Sequence, residues 1–188
     1  MAGVTLIKPR RFGDDRGWFS ETYSRKAAAA LGITDEFVQD NQSLSRTPGT
    51  LRGLHFQTPP HGQAKLVRCL RGRIMDYAVD VRRGSPSWGQ HVSVELTAAN
   101  GWQLYVPVGY AHAFLTLEPD TEVAYKVSDV YAPDCDGGIR FDDPAIGIAW
   151  PLSADKLVLS EKDRTLPRLA EFASPFPYDG TPLSPLPA

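Results

Sequence analysis

The sequence contains few cysteines and no long apolar segment, and these two shortages exclude whole classes of protein. Cys69 and Cys135 are the two cysteines among 188 residues. Two are too few for a framework of disulfide bonds, so we expect both thiols to be reduced. No run approaches the about 18 apolar residues of a transmembrane helix, and the N-terminus lacks the apolar core and cleavage site of a secretory signal. We therefore expect a cytoplasmic protein without a membrane segment.

A strong charge of either sign is missing as well. The chain carries 20 Lys and Arg residues against 22 Asp and Glu residues, so its net charge is −2 at pH 7. Proteins that bind nucleic acids or anionic membranes do so through concentrated basic residues. The near-neutral balance therefore gives no electrostatic reason to expect nucleic acid or a membrane surface as a partner.

Length and composition indicate one domain with a substantial core. Most of the chain consists of short runs of strand-forming residues separated by Gly, Pro and Asp, which predicts a mainly β fold. We place the domain at residues 1–175. Residues 176–188 are rich in proline and have no periodic pattern, so we predict an extended tail there.

Two short helical segments are predicted between the strands. The first spans residues 25–31, where Ser24 can cap the start, a run of alanines favours helix and Gly32 can end it. A second helical turn is predicted near residues 160–168.

The strands on either side of Arg71-Gly72 are predicted to form a hairpin. Residues 64–70 would then pair with residues 73–81, and alternation places Lys65 and Asp76 on one face. Both faces of this hairpin mix apolar with polar side chains, so alternation leaves two interpretations open. The lysine and the aspartate form either a solvated pair at a sheet edge or a pair inside a pocket.

A second hairpin is predicted around a turn at residues 118–121. In it Phe114 lies opposite Tyr125, and His112 lies diagonally on the same face. An imidazole, a phenol and a phenyl ring would therefore share one wall. For a single histidine the simpler interpretation is a half-buried core residue, but a second histidine in a matching segment favours a pocket.

Two segments resemble the signature motifs of the cupin superfamily, a small β-barrel with a polar pocket. The first contains His55, and the second, residues 101–112, ends in Pro-x-Gly-x-x-His at His112. A metal-binding cupin carries His-x-His followed by Glu in the first segment. Here Gln57 stands at the second histidine, and no Glu follows before Asp76. We therefore expect a histidine pocket that holds no metal.

Nine patterns, each weak by itself, occur in a fixed order along the chain. They lie at residues 14–21 (Asp-x-Arg-Gly-x-Phe-x-Glu), 37–43 (Phe-Val-Gln-Asp-Asn-x-Ser), 51–57 (Leu-Arg-Gly-Leu-His-Phe-Gln), 63–67, 76–82, 107–114, 125–133, 143–151 and 159–163. Together they resemble the dTDP-4-dehydrorhamnose 3,5-epimerase family over residues 4–175.

That resemblance implies a cupin-type jelly-roll β-barrel with a few short helices, assembled as a homodimer whose N-terminal strands pack across the interface. It also implies an isomerase that acts on a dTDP-linked 4-keto-6-deoxyhexose and needs no cofactor or metal. The ketone at C-4 acidifies the protons on C-3 and C-5, so inversion needs a base, a group that stabilises the enolate, and an acid. Family members that act at a single carbon have much the same pocket, so the motifs leave open whether C-3, C-5 or both are inverted.

The resemblance also implies roles for individual residues. His55 would be the general base with Asp163 orienting its ring, and Tyr125 would be the acid. Lys65 would contact the substrate and stabilise the enolate oxygen. The other implied contacts with the nucleotide sugar are Arg16, Phe19, Glu21, Gln39, Asn41, Arg52, His112, Tyr131, Asp136 and Lys162. Asp136 departs from the family pattern, which has the longer Glu in this segment.

Two other functions fit parts of the pattern. A metal-dependent cupin enzyme would use His55, Gln57 and His112 as ligands for iron or manganese. A non-catalytic cupin would bind the sugar without chemistry, but binding alone does not require an acid–base pair such as His55 and Tyr125.

Overall fold

Short strands make up most of the fold. The computed structural model describes residues 3–187. Within them the strands are β1 (Thr5–Ile7), β2 (Phe12–Asp14), β3 (Gly17–Phe19), β4 (Gln39–Ser45), β5 (Leu51–Gln57), β6 (Lys65–Arg71), β7 (Arg73–Asp80), β8 (His91–Thr97), β9 (Gln103–Val106), β10 (Tyr110–Thr116), β11 (Thr121–Val127) and β12 (Asp136–Gly138). The helices are α1 (Arg25–Ala30) and α2 (Glu161–Thr165), and no helix in the described range is long and apolar enough to cross a membrane. The predicted mainly β fold with a few short helices is confirmed.

Two five-stranded antiparallel sheets face each other. The front sheet has the strand order β1-β9-β6-β11-β4, and the back sheet has the order β12-β5-β10-β7-β8. β2 and β3 form a separate small hairpin near the N-terminus. The two sheets remain separate rather than closing into one continuous barrel.

Alternate residues of both sheets fill the space between them. Val67, Leu104 and Val123 point inward from the front sheet, and Ile74 and Leu96 point inward from the back sheet. These side chains are fully shielded from solvent, and the removal of their apolar surface from water is the main term that holds the sheets together.

The predicted hairpin around Arg71-Gly72 is wrong. β6 pairs with β9 and β11 in the front sheet, whereas β7 pairs with β8 and β10 in the back sheet. Gly72 has a φ of +76°, and a Cβ there would lie 2.4 Å from the Thr121 hydroxyl oxygen. The chain therefore crosses from one sheet to the other at a position that only glycine fits. Lys65 and Asp76 are nevertheless both buried, one in each sheet, so the interpretation as a solvated pair at a sheet edge is excluded.

The second predicted hairpin is wrong for a similar reason. β10 lies in the back sheet, whereas β9 before it and β11 after it lie in the front sheet. The chain therefore crosses between the sheets both before β10 and at the turn around residues 118–121. His112 and Phe114 face Tyr125 across the interior rather than beside it on one wall. Local alternation indicates the face of each strand, but sheet membership depends on partners far along the chain.

Each sheet is covered on its outer face. α1 follows Ser24, whose hydroxyl accepts a hydrogen bond from the Ala27 N–H at 3.4 Å, and Gly32 follows it with a φ of +80°. The predicted first helix is thus confirmed, and it packs Ala28 toward the front sheet. A longer apolar layer covers the back sheet with Ile139, Ile146, Leu157, Leu169 and Phe176.

The C-terminal residues run back across this fold. The Arg82 guanidinium is 3% exposed, and it donates to the Asp179 carboxylate at 2.8 Å and to the Thr181 carbonyl at 2.9 Å. Leu183 and Leu186 pack against the core between the sheets. Specific contacts therefore join the proline-rich segment to the domain.

Candidate active site

A cleft between the two sheets gathers most of the predicted site residues. It has a larger lobe of about 390 Å³ and a smaller lobe of about 230 Å³, which share His55, Lys65, Tyr125 and Lys162. The predicted residues that line the cleft are Gln39, Asn41, Arg52, His55, Lys65, His112, Tyr125, Tyr131, Asp136, Lys162 and Asp163.

An irregularity in β5 turns two of these side chains toward the cleft. His55 lies opposite His112 of β10, and Arg52 lies opposite Phe114, so three steps along β5 match two along β10. Residues three apart in a regular strand point to opposite faces, and the extra residue of this bulge brings them to the same face.

The bulge depends on Gly53. This residue has a φ of +142°, and a Cβ there would lie 2.3 Å from the Ala113 Cβ. Because real side chains do not approach so closely, the bulge that orients Arg52 and His55 requires glycine at this position.

His55 and Asp163 form a hydrogen-bonded pair. His55 Nε2 lies 2.5 Å from Asp163 Oδ1, although 108 residues separate them in sequence. The Ser160 hydroxyl caps α2, within the predicted second helical segment, by accepting from the Asp163 N–H at 3.1 Å. Burial alone would raise the pKa of Asp163, but the hydrogen bond and charge of His55, together with Ser160, hold that pKa below its ordinary value. An ionised carboxylate can only accept, so Nε2 carries the hydrogen and Nδ1 is left with a free lone pair.

Lys65 reaches the cleft from the front sheet. Its Nζ donates to the His55 carbonyl oxygen at 3.4 Å. Burial lowers the pKa of the ammonium to about 8, against the opposing charges of Asp76 and Asp136. A cation therefore lies beside His55 at neutral pH.

Tyr125 also comes from the front sheet. Because β11 and β5 lie in different sheets, Tyr125 and His55 enter the cleft from opposite walls. Burial raises the pKa of Tyr125, against the effect of the nearby Arg52 charge. The phenol accordingly keeps its proton near neutral pH and can donate it.

A second His–Asp pair lies beside the larger lobe, which His112 lines. His112 Nε2 is 2.8 Å from Asp76 Oδ1, and both side chains are buried. Burial raises the pKa of Asp76 and lowers the pKa of His112, in each case against the attraction of the partner. The sequence analysis paired Asp76 with Lys65 alone, but its hydrogen-bonded partner is His112.

The smaller lobe carries an exposed aromatic ring among polar groups. The Tyr131 hydroxyl donates to Asp136 Oδ2 at 3.3 Å, and the same carboxylate is paired with the Lys162 ammonium. Gln39 Nε2 donates to Asn41 Oδ1 at 2.8 Å on the facing strand β4. Tyr131 itself is 58% exposed, so its ring is free to contact a ligand.

Three predicted contacts, Arg16, Phe19 and Glu21, lie outside this cleft. Arg16 is exposed and donates to the Asp14 carboxylate at 3.2 Å, and Phe19 is 70% exposed. Glu21 lines a separate groove of about 310 Å³ beside α1. The cleft of a single chain therefore does not contain all of the predicted substrate contacts.

The sequence analysis missed Ser43 and Gln63 as cleft residues. Ser43 lines the larger lobe, and its buried hydroxyl has no hydrogen-bond partner within residues 3–187. Gln63 lines the smaller lobe and donates to the Asp129 carbonyl at 2.8 Å. Both lie inside segments that carry the family resemblance, and membership of those motifs is the sequence signal that could have identified them as cleft residues.

Gln57 does not join His55 and His112 as a third ligand in this arrangement. Its amide turns to backbone groups of two neighbouring loops, and each histidine is bonded to its own carboxylate. In the part of the chain that the structure describes, no three His, Cys, Asp or Glu side chains are grouped as a metal site requires.

A hydrogen-bonded histidine on one wall of the cleft and a protonated phenol on the other are an arrangement typical of acid–base isomerases, here built on two β-sheets. The family model described as dTDP-4-dehydrorhamnose 3,5-epimerase matches residues 1–171. The chain belongs to this family and is an epimerase.

Individual relatives agree with this assignment. A dTDP-4-dehydrorhamnose 3,5-epimerase of Sinorhizobium fredii is 53% identical over 182 residues, which are 95% of this chain and 91% of the relative. A dTDP-6-deoxy-D-glucose-3,5-epimerase of Legionella pneumophila, solved with dTDP-4-keto-L-rhamnose, is 43% identical with a TM-score of 0.85 over 89% of this chain and 88% of its own. ChmJ, a 3'-monoepimerase of Streptomyces bikiniensis solved with dTDP-quinovose, is 35% identical with a TM-score of 0.82 over 89% and 84%. The predicted cupin-type fold is confirmed by these relatives.

Proposed function

We propose that this epimerase converts dTDP-4-dehydro-6-deoxy-glucose to dTDP-4-dehydro-rhamnose by inverting C-3 and C-5. The observation that carries the proposal is the position of His55 and Tyr125 on opposite walls of one cleft. Inversion requires a proton to leave one face of a carbon and a proton to return on the other face. The names and bound sugars of the relatives support the choice of substrate.

His55 acts as the base. Its Nδ1 lone pair is free to accept a proton, because Nε2 donates to Asp163. As the imidazolium forms, the Asp163 carboxylate stabilises the new charge and keeps the ring in one orientation. The proton comes from C-3 or C-5, the carbons that the C-4 ketone acidifies.

Lys65 and Tyr125 complete the proton transfer. Removal of the proton places negative charge on the C-4 oxygen, and the buried Lys65 ammonium stabilises that charge. Tyr125 then donates its proton to the carbon from the wall opposite His55. None of these steps requires a metal or a redox cofactor.

The dTDP group occupies the smaller lobe in this proposal. The exposed Tyr131 ring stacks on the base. Lys162, which lines both lobes, and Arg52 of the larger lobe bind the diphosphate oxygens where the lobes meet. Gln39 and Asn41 supply amide groups that hydrogen-bond the nucleoside. In the larger lobe His112 contacts the sugar.

We also propose that the enzyme is a cytoplasmic homodimer in which the N-terminal hairpin of one subunit completes the cleft of the other. Arg16 and Glu21 lie outside the cleft of their own chain. Phe12, Trp18 and Phe19 on this hairpin are 52%, 60% and 70% exposed. Neighbouring aromatic residues exposed in this way mark protein interfaces, which supports a second subunit as their partner.

Inversion at C-3 alone is the second candidate. The 3'-monoepimerase that is 35% identical has the same fold over most of this chain, so the scaffold is compatible with either outcome. The higher identity to a relative named as a 3,5-epimerase favours both carbons.

Proton NMR of the product from dTDP-4-dehydro-6-deoxy-glucose tests these proposals together. We expect inversion at both carbons, and inversion at C-3 alone would favour the second candidate. Binding of the sugar without conversion would favour a non-catalytic cupin. Loss of activity on metal removal, with recovery on metal addition, would favour a metal-dependent enzyme instead.

A further inference from the structure

The buried side chain of Gln57 connects two loops at the edge of the smaller lobe. It is 3% exposed at the end of β5. Nε2 donates to the His61 carbonyl at 2.7 Å and to the Val130 carbonyl at 3.1 Å, and Oε1 accepts from the Ala132 N–H at 2.8 Å. Both hydrogens of the amide nitrogen and its oxygen are therefore engaged with backbone.

Glutamine side chains, rather than sheet hydrogen bonds, fix the segment that presents Tyr131. The contacts of Gln57 with this segment lie on either side of Tyr131. Gln63 Nε2 donates to the Asp129 carbonyl at 2.8 Å, and Gln39 Oε1 accepts from the Tyr131 N–H at 3.3 Å. The position of the exposed ring thus depends on amide side chains, of which Gln57 makes the most contacts.

We propose that Gln57 is a positioning residue that sets the place of Tyr131 and thereby the affinity for the dTDP nucleotide. The inference rests on the proposed function, which assigns Tyr131 to base stacking. A carboxylate at this position would have no donor for the two carbonyls, and a neutral imidazole offers one donor and one acceptor. An amide is the side chain that supplies two donors and an acceptor together.

The reacting groups have separate supports. His55 is oriented by Asp163, and Lys65 is held on β6 in the front sheet. Loss of the Gln57 amide therefore weakens nucleotide binding while the proton-transfer groups stay in place. The expected signature is a rise in KM and in the Kd for dTDP with little change in kcat.

Titration calorimetry with dTDP, combined with steady-state kinetics, tests this inference. Gln57→Met keeps the length of the side chain and removes its hydrogen bonds, and we expect the Kd for dTDP to rise about tenfold. We expect kcat to stay within about threefold of wild type, because the acid and base are untouched. Gln90→Met, at an exposed residue before β8, serves as the matched control with unchanged Kd.

Gln57→Glu adds a pH signature that a general loss of structure does not produce. The ionised carboxylate faces two carbonyl oxygens, whereas its protonated form offers one donor again. The ratio of the variant Kd to the wild-type Kd should therefore fall as the pH is lowered from about 8 to about 5.

An unchanged Kd in Gln57→Met, or a fall in kcat as large as the rise in Kd, would overturn the inference. If Gln57→Met does not fold, Gln63→Met releases the Asp129 carbonyl alone and should raise the Kd about threefold, and no rise there would also overturn it. Failure of wild type to bind dTDP would instead contradict the proposed function.

Discussion

Burial shifts the pKa values of Tyr125 and Lys65, the proposed acid and the proposed cation of the cleft, in opposite directions. It raises the pKa of the Tyr125 phenol and lowers the pKa of the Lys65 ammonium to about 8. The acid therefore stays protonated over the working range, whereas the cation is maintained up to about pH 8. We therefore expect Lys65 to set the alkaline limit of activity.

The Lys65 pKa gives a prediction for the alkaline limb of the pH profile. Lys65 is charged below its pKa of about 8 and loses its charge as the pH rises through that value. Since the ammonium stabilises the enolate, kcat/KM should fall above about pH 8, well before an ordinary lysine would titrate. Initial rates between pH 6 and about 10 measure this limb.

Lys65→Arg is the control for this assignment. Arginine keeps its charge throughout the range, so the limb near pH 8 should disappear even where the overall rate is lower. A limb that stays at the same pH in Lys65→Arg would mean that another group causes it.

Pairs such as His55–Asp163 show the limit of prediction from local sequence patterns. Alternation alone left Lys65 and Asp76 undecided between a surface pair and a pocket pair. No local pattern relates His55 to a carboxylate 108 residues away, and only the family resemblance placed them together. The bond between Asp76 and His112 was missed because their contact is formed between paired strands, β7 and β10, that alternation does not identify.

Among the elements, β5 has the largest influence on the cleft. Its bulge brings Arg52 and His55 to one face, which a regular strand would not do. The bulge relies on the absence of a side chain at Gly53, next to Ala113 on β10. Sequence alternation cannot reveal such a bulge, because it assumes a regular strand.

Gly53→Ala should destabilise the fold more than a matched glycine substitution. Its Cβ would lie 2.3 Å from the Ala113 Cβ, whereas a Cβ at Gly84, also at positive φ, meets no atom within 4 Å. We expect Gly84→Ala to cost about 1 kcal/mol from backbone strain and Gly53→Ala to cost about 3 kcal/mol or more. Urea unfolding of both variants gives the comparison, and equal costs would contradict the role of the contact.

The strands and helices also show which features of the fold the sequence predicts and which it does not. Composition and turn residues predicted the mainly β fold and both helices, whereas alternation left open which faces of β6 and β7 point inward. The two hairpins were wrong because adjacent strands with apolar side chains on both faces can pair with each other or cross to another sheet. In the observed fold β7 and β10 are largely buried on both faces, and that burial comes from the layers of the whole fold rather than from the turn.

For the whole molecule, the position of Arg16 predicts that a complete site needs two subunits. A dimer of one His55→Asn subunit and one Arg16→Ala subunit would contain one site with both defects and one site with neither. Such heterodimers should have about half of the wild-type activity, although each homodimeric variant has lost most of it. Tandem purification on two tags followed by rate measurement provides the test, and no recovery in the heterodimer would place both residues in one chain's site.

The most direct test of the central claim, that His55 is the base for both carbons, is deuterium incorporation from heavy water read separately at C-3 and C-5 by NMR. The wild-type enzyme should incorporate deuterium at both positions, above a buffer control. His55→Asn, with its fold checked by circular dichroism, should lose incorporation at both positions together by about 100-fold or more. Incorporation that persists at either carbon in His55→Asn would contradict the account.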